Sequence, residues 1–135
     1  MTIAWNASYA IGYPMIDAQH QELFKRFNSL IEACQQKKGR QEVVRLFEFL
    51  DTYVVEHFSA EEALMTVHAY PEVGMHRKQH QEFSEKLQGW QRHLQQEGST
   101  LGLLIETNEA VMLWLIRHIR TVDMALGKFL HSRPA

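Results

Sequence analysis

The sequence predicts an all-α protein, an antiparallel up-down-up-down four-helix bundle preceded by an extended N-terminal arm. Three observations carry this expectation. Apolar residues recur at spacings of three and four along four stretches, each long enough for a helix of roughly 20–28 residues. The breakers are few, 3 prolines and 7 glycines, and the glycines fall mostly between those stretches. No window alternates as a strand does, and there is no internal repeat or low-complexity segment. A chain of 135 residues holds one domain of ordinary size. The expected organisation is therefore a single domain over 1–135, with an arm at 1–16 and the bundle at 17–131.

The arm lacks helical period but carries Trp5, Tyr9, Ile11, Tyr13 and Pro14, so it should pack on the bundle as an extended segment. Asp17 is the expected N-cap of the first helix, because its short carboxylate can accept from free amides of the first turn. That helix, about 18–37, aligns Leu23, Phe24, Phe27, Leu30, Ile31 and Cys34. Lys37, Lys38 and Gly39 are suited to end it, cations at the negative end of the dipole and a glycine for the turn. The second helix, about 41–65, places Val43, Leu46, Phe47, Leu50, Tyr53, Val54, Phe58, Leu64 and Met65 inward. A turn over 66–71 closes on Pro71, which suits a first helical position. The third, about 72–97, carries Val73, Phe83, Leu87, Trp90 and Leu94, and Gly98-Ser99-Thr100 breaks it. The fourth, about 103–131, is apolar from Leu103 to Leu130.

Composition narrows the function classes. The chain is 45% apolar and 22% charged, ordinary for a globular protein with one core. Its net charge of −2 leaves no cationic excess to neutralise phosphates, so nucleic acid is not an expected partner. The longest apolar run, Val111–Ile116, is far shorter than the roughly 20 residues of a membrane span. The first 24 residues hold no Lys or Arg, so no signal-peptide n-region is expected. The single Cys34 has no disulfide partner, which fits a reducing compartment, and the cytoplasm is the expected location. Cys34 lies on the apolar stripe, where a plain core role is expected.

The 8 histidines are an unusual number for this length, and their placement decides what they do. His20 shares the stripe of Phe24, Phe27 and Ile31. His57 and Glu61 lie one turn apart on the core face of the second helix. On the third, the stripe Val73, His76, His80, Phe83, Leu87, Trp90, Leu94 steps by three and four without a break. His118 follows Trp114 by one turn on the fourth. His68, His93 and His131 fall off the stripes and are expected in solvent, as is Glu62. One histidine on an apolar face is usually a hydrogen-bonded core residue. Five of them with a carboxylate are different, since each buried without a partner would cost about 1–3 kcal/mol. A domain whose net stability is about 5–15 kcal/mol does not tolerate that, and a metal centre would satisfy them together.

His76-x3-His80 and His57-x3-Glu61 each place two donors on one helical face, as chelation requires. Five imidazoles exceed what one tetrahedral zinc takes, and haem needs only one or two axial ligands. Imidazoles with bridging carboxylates suit a pair of iron, manganese or zinc ions, and a nitrogen-rich octahedral set favours iron. A second carboxylate is needed on the fourth helix, and the candidates are Asp123 and Glu109. His118 and Asp123 are five residues apart, about 140° around an ideal helix, so spacing alone does not select Asp123.

Taken together, these motifs resemble the hemerythrin family, in particular its single-domain bacterial members. The matching pieces are Ile16-Asp17-Ala18-Gln19-His20 with Asn28-Ser29-Leu30; His57-Phe58-Ser59-Ala60-Glu61-Glu62 with Met65; Tyr70-Pro71; His76-x3-His80-x2-Phe83; and Trp114-x3-His118-Ile119-x3-Asp123. The aromatic arm from Trp5 to Pro14 matches too, so the resemblance covers about residues 5–130. It implies a non-haem di-iron centre with an oxo or hydroxo bridge. His76, His80 and His118 would hold one iron, His20 and His57 the other, with Glu61 and Asp123 bridging. The second iron is then five-coordinate, and oxygen would bind there end-on as a hydroperoxide, in a pocket of Phe58, Trp114, Leu115 and Ile119. The implied function is reversible oxygen binding for storage, delivery or sensing, by a monomer and without enzymatic turnover. A recipient oxygenase or oxidase is not identified by any residue. The alternative is a di-iron redox enzyme (oxidase, peroxidase or nitric-oxide scavenger) using the same site.

Overall fold

A computed structural model describes residues 4–36, 40–96 and 101–132. Its long helices are α1 (Pro14–Gln35), α2 (Arg40–Val67), α3 (Val73–Gln95) and α4 (Leu101–His118). A π-helical turn, Ile119–Asp123, carries α4 directly into α5 (Met124–Ser132). Among the described residues there is no strand. Each long helix packs on two neighbours, α1 with α2 and α4, and α3 with α2 and α4. Neighbours run antiparallel. His20 faces His57 while Arg26 reaches back to the Phe49 carbonyl, and Phe58 faces Phe83 while Trp90 meets Phe47.

Helix starts depart from the sequence expectation by a few residues, for local reasons. Tyr13, not Asp17, is the N-cap of α1, and Pro14 opens the helix, where its missing N–H is one of the free donors anyway. Asp17 sits one turn inside. Its carboxylate reaches back to accept from the Ile11 and Gly12 amides, at 2.7 and 3.2 Å, and so ties the arm to the helix. The arm itself is not wholly extended, because Ala7–Tyr9 form one 3₁₀ turn capped by the Asn6 side chain. Pro71 lies in the turn before α3, which starts two residues later at Val73. The expected stops at Lys37-Lys38-Gly39 and Gly98-Ser99-Thr100 lie outside the described residues.

Two glycines seat the arm. Gly12 adopts φ +86, a left-handed backbone in which a side chain would also collide with His131. At Gly127, a Cβ would run into the Ile11 carbonyl oxygen, so the arm lies flat on α5 only because that position is bare.

The apolar stripes form two clusters. The larger fills most of the bundle, from Tyr9, Leu23 and Phe24 through Phe27, Phe47, Leu87 and Trp90 to Leu115 and Ile119. Cys34 is buried within it, as its place on the stripe predicts. A smaller cluster of Met65, Tyr70 and Leu126 lies at the end of the bundle that α5 reaches. Leu46, Tyr53, Leu64 and Val73 are half-buried rather than fully inside.

Candidate metal centre

Four helices each deliver donors to one level of the bundle. His20 comes from the start of α1, His57 and Glu61 from the C-terminal half of α2, and His76 and His80 from the start of α3. His118 ends α4. Antiparallel packing brings these levels together, because the N-terminal ends of α1 and α3 stand beside the C-terminal ends of α2 and α4.

The π turn answers the question that spacing left open. Its i→i+5 bond, from Met124 N–H to the Ile119 carbonyl, admits one extra residue per turn. The Thr121 hydroxyl donates at 2.7 Å to the Arg117 carbonyl beside the widened turn. His118 and Asp123, which a regular helix would splay apart, therefore face the same interior. The other fourth-helix candidate, Glu109, is half-buried and outside this group of donors.

All seven side chains are essentially inaccessible, none more than 3% exposed. Their atoms sort into two sets, each within 4.8 Å: Glu61, His76, His80, His118 and Asp123; and His20, His57, Glu61 and Asp123. The two carboxylates belong to both. Asp123 turns Oδ1 to His76 Nε2 (2.9 Å) and His118 Nε2 (3.2 Å), and Oδ2 to His20 Nε2 (3.1 Å). Glu61 turns Oε1 to His57 Nε2 (2.7 Å) and Oε2 to His76 Nε2 (3.4 Å). These close approaches are not hydrogen bonds. Both oxygens of each carboxylate, and the Nε2 atoms of His20, His76, His80 and His118, are buried with no hydrogen-bond partner. Two donors about 2.1 Å from one ion at a right angle stand about 3.0 Å apart, which is the spacing found here. The donor set thus fits two cations bridged by two carboxylates.

Electrostatics agrees. Burial and the neighbouring Asp123 charge push the Glu61 carboxyl up, but His57 and His76 overcome both and hold it below the ordinary range. Burial likewise opposes ionisation of Asp123, yet His118, His20 and His76 keep it well below its usual value. Burial disfavours a charged His76, and Asp123 and Glu61 outweigh it, raising this imidazole to about 9. Burial dominates at His80, which falls to about 4. Two buried anions in one small space call for cationic charge.

An outer ring holds the imidazoles in place. His57 Nδ1–H donates to Gln19 Oε1 and His118 Nδ1–H to Gln79 Oε1, each at 2.8 Å. His80 Nδ1–H donates to Glu62 Oε2 at 3.0 Å. Each bond fixes the tautomer that leaves the Nε2 lone pair pointing inward. Glu62 is therefore not a free surface residue, contrary to expectation, because the α2–α3 contact brings it to His80. Gln19 and Gln79 carried no expected role. Their only signal in the chain is a polar residue directly before His20 and His80. His131 is exposed as expected, whereas His68 and His93 are half-buried.

Two of the four expected pocket residues touch histidines of the cluster. Phe58 lies flat on His80, with centroids 3.8 Å apart and planes 8° apart, and is 5.8 Å from His57. Trp114 stacks on His118 at 5.0 Å. Phe58, Leu115 and Ile119 are buried, and Trp114 is half-buried.

Residues 11–130 match the model of the hemerythrin HHE cation binding domain. The chain is 30% identical over 121 residues to a bacteriohemerythrin of Pseudomonas aeruginosa, covering 90% of this chain and 76% of that protein. It is 31% identical over 120 residues to hemerythrin subunit alpha of Lingula anatina, covering 89% and 88%. A crystal structure of a wild-type hemerythrin superposes with a TM-score of 0.83 at 25% identity, covering 95% of this chain and 97% of that one.

Proposed function

The chain belongs to the hemerythrin family, and from that premise we propose that it binds oxygen reversibly at a di-iron centre held by the seven clustered side chains. Its role is that of an oxygen-binding protein rather than an enzyme. The observation that carries the reading is the partition of the buried, unpartnered donors into two sets that share Glu61 and Asp123. In the proposed assignment, His76, His80 and His118 hold one iron, His20 and His57 the other, and the two carboxylates bridge. When bound, two ferrous ions supply the electrons that make oxygen binding possible.

The protein's own contribution is orientation, asymmetry and dryness. Gln19, Gln79 and Glu62 hold three imidazoles with Nε2 inward. The two sets differ by one histidine, so the proposed oxygen position is on the His20/His57 side. Phe58, Leu115 and Ile119 keep water from the cluster, which limits proton delivery and favours release over onward chemistry. Five neutral imidazoles and only two carboxylates place little negative charge on the ions, which disfavours high-valent iron.

No helix among the described residues is long and apolar enough to cross a membrane. A monomeric carrier in a reducing compartment such as the cytoplasm, folded as one domain over 1–135, completes the proposal. The free, buried Cys34 supports the compartment and the family match over 11–130 supports the single domain.

Optical absorption tests the function. The iron-loaded protein is reduced without air, exposed to air and then swept with argon. A visible charge-transfer band that appears with air and leaves with argon is expected. A band that decays irreversibly to an oxidised form would replace oxygen binding with redox turnover, and the lack of any iron band would remove the metal reading.

A further inference from the structure

The second nitrogens of the five clustered imidazoles meet three kinds of environment. His57 and His118 are backed by neutral amide oxygens of Gln19 and Gln79. His20 and His76 have no hydrogen-bond partner at Nδ1. His80 is backed by a carboxylate, Glu62 Oε2 at 3.0 Å. Glu62 lies on the wall of a surface groove of about 470 Å³ between α2 and α3, with Arg77, Ser84 and Glu85 among the other lining residues. Its second oxygen, Oε1, stands 3.3 Å from Arg77 Nε, so the carboxylate is clamped from outside while it holds His80 from behind. Phe58 lies flat on the face of the same ring.

We propose that Glu62 is a positioning residue that sets the redox balance of the centre, acting through His80 to make the His76/His80/His118 metal position the more electron-rich of the two. The proposal rests on the di-iron reading above. An amide oxygen on Nδ1–H fixes the ring and its tautomer but adds no charge. A carboxylate there also draws the proton, gives the imidazole anionic character and makes Nε2 a stronger donor. A stronger donor stabilises ferric over ferrous iron. Since Glu62 is 32% exposed and paired with Arg77, solvent and counter-charge screen part of this effect.

The test uses the full chain loaded with ferrous iron, in four forms: wild type, Glu62→Gln, Gln79→Glu and Glu85→Gln. Glu62→Gln removes the charge and keeps one amide oxygen to accept from His80, while its NH2 replaces the oxygen that faces Arg77. Glu85→Gln removes the same charge from the same groove at an exposed residue on α3. Iron per chain is measured first, then the ferrous-to-ferric ratio against applied potential with soluble mediators. Glu62→Gln is expected to keep its iron and raise that ratio about three- to tenfold at fixed potential, tenfold being about 59 mV for a one-electron couple. Gln79→Glu should lower it, and Glu85→Gln should leave it in place. Glu62→Gln with full iron and an unmoved ratio would overturn the proposal, as would an equal shift in Glu85→Gln, which would mean a diffuse field effect. Should Glu62→Gln lose its iron, Gln79→Glu decides, and a rise or no change there overturns it. A wild-type chain that takes up no iron fails at the first measurement, which sinks the di-iron reading itself.

Discussion

At the scale of single residues, the site depends on which nitrogen of each imidazole is free. His118 points Nε2 at the carboxylates because Gln79, from the neighbouring helix, takes the proton on Nδ1 at 2.8 Å. Replacing Gln79 by Leu should leave the fold intact and weaken metal binding about 10–100-fold. Competition with a chelator of known affinity measures this, and unchanged binding would mean that packing alone orients the ring. The inward histidines were legible in the sequence because they sit in step with Phe24, Phe83 and Trp114 on apolar stripes. Their supports were not. Gln19 and Gln79 act on histidines 38 and 39 residues distant in the chain, and a contact across two helices leaves no periodic trace. Glu62 was expected in solvent because its register lies beside the stripe, and a long side chain beside a neighbouring helix reaches what its register does not show.

At the scale of elements, two local irregularities do the positioning. The first is the π turn at Ile119–Asp123. Inserting one alanine between Arg120 and Thr121 should swing Asp123 about 100° away from the cluster and remove most of the bound iron, read as iron per chain. Retention of full iron would show that the turn absorbs the extra residue. The five-residue step from His118 to Asp123 was visible in the sequence, but helical spacing gave it no meaning, since a regular helix makes the two diverge, and only the family resemblance marked Asp123 as a ligand. The second irregularity ends α2. Tyr70 N–H bonds to the Met65 carbonyl and Ala69 N–H to the Thr66 carbonyl, with Ala69 at φ 52. This is a Schellman closure with a methyl group where glycine is preferred. Ala69→Gly should raise stability by about 0.5–1 kcal/mol, measured by denaturant unfolding. Loss of stability would mean that the alanine makes a contact worth more than its strain.

At the scale of the whole molecule, the site lies between two apolar clusters, the main core on one side and Met65, Tyr70 and Leu126 on the other. Neither can satisfy the buried donors, so bound metal contributes to folding itself. Stripping the metal with a chelator should lower stability by several kcal/mol. Thermal melts followed by circular dichroism, with and without chelator, would show it, and equal midpoints would mean that the two carboxylates are balanced by protonated histidines alone. The sequence by itself determined the helical class, the number of long helices, the inward faces and five histidines with Glu61, because all of these follow from a period of three to four residues within one segment. Asp123 was named by the family resemblance but not by helical spacing, and the tertiary structure supplied the reason it joins them. The tertiary structure alone decided that the carboxylates divide their oxygens between two sets, and that Gln19, Gln79 and Glu62 brace three of the imidazoles from outside. Those are relations between helices, and they are set by how the antiparallel packing aligns one helix level with the next.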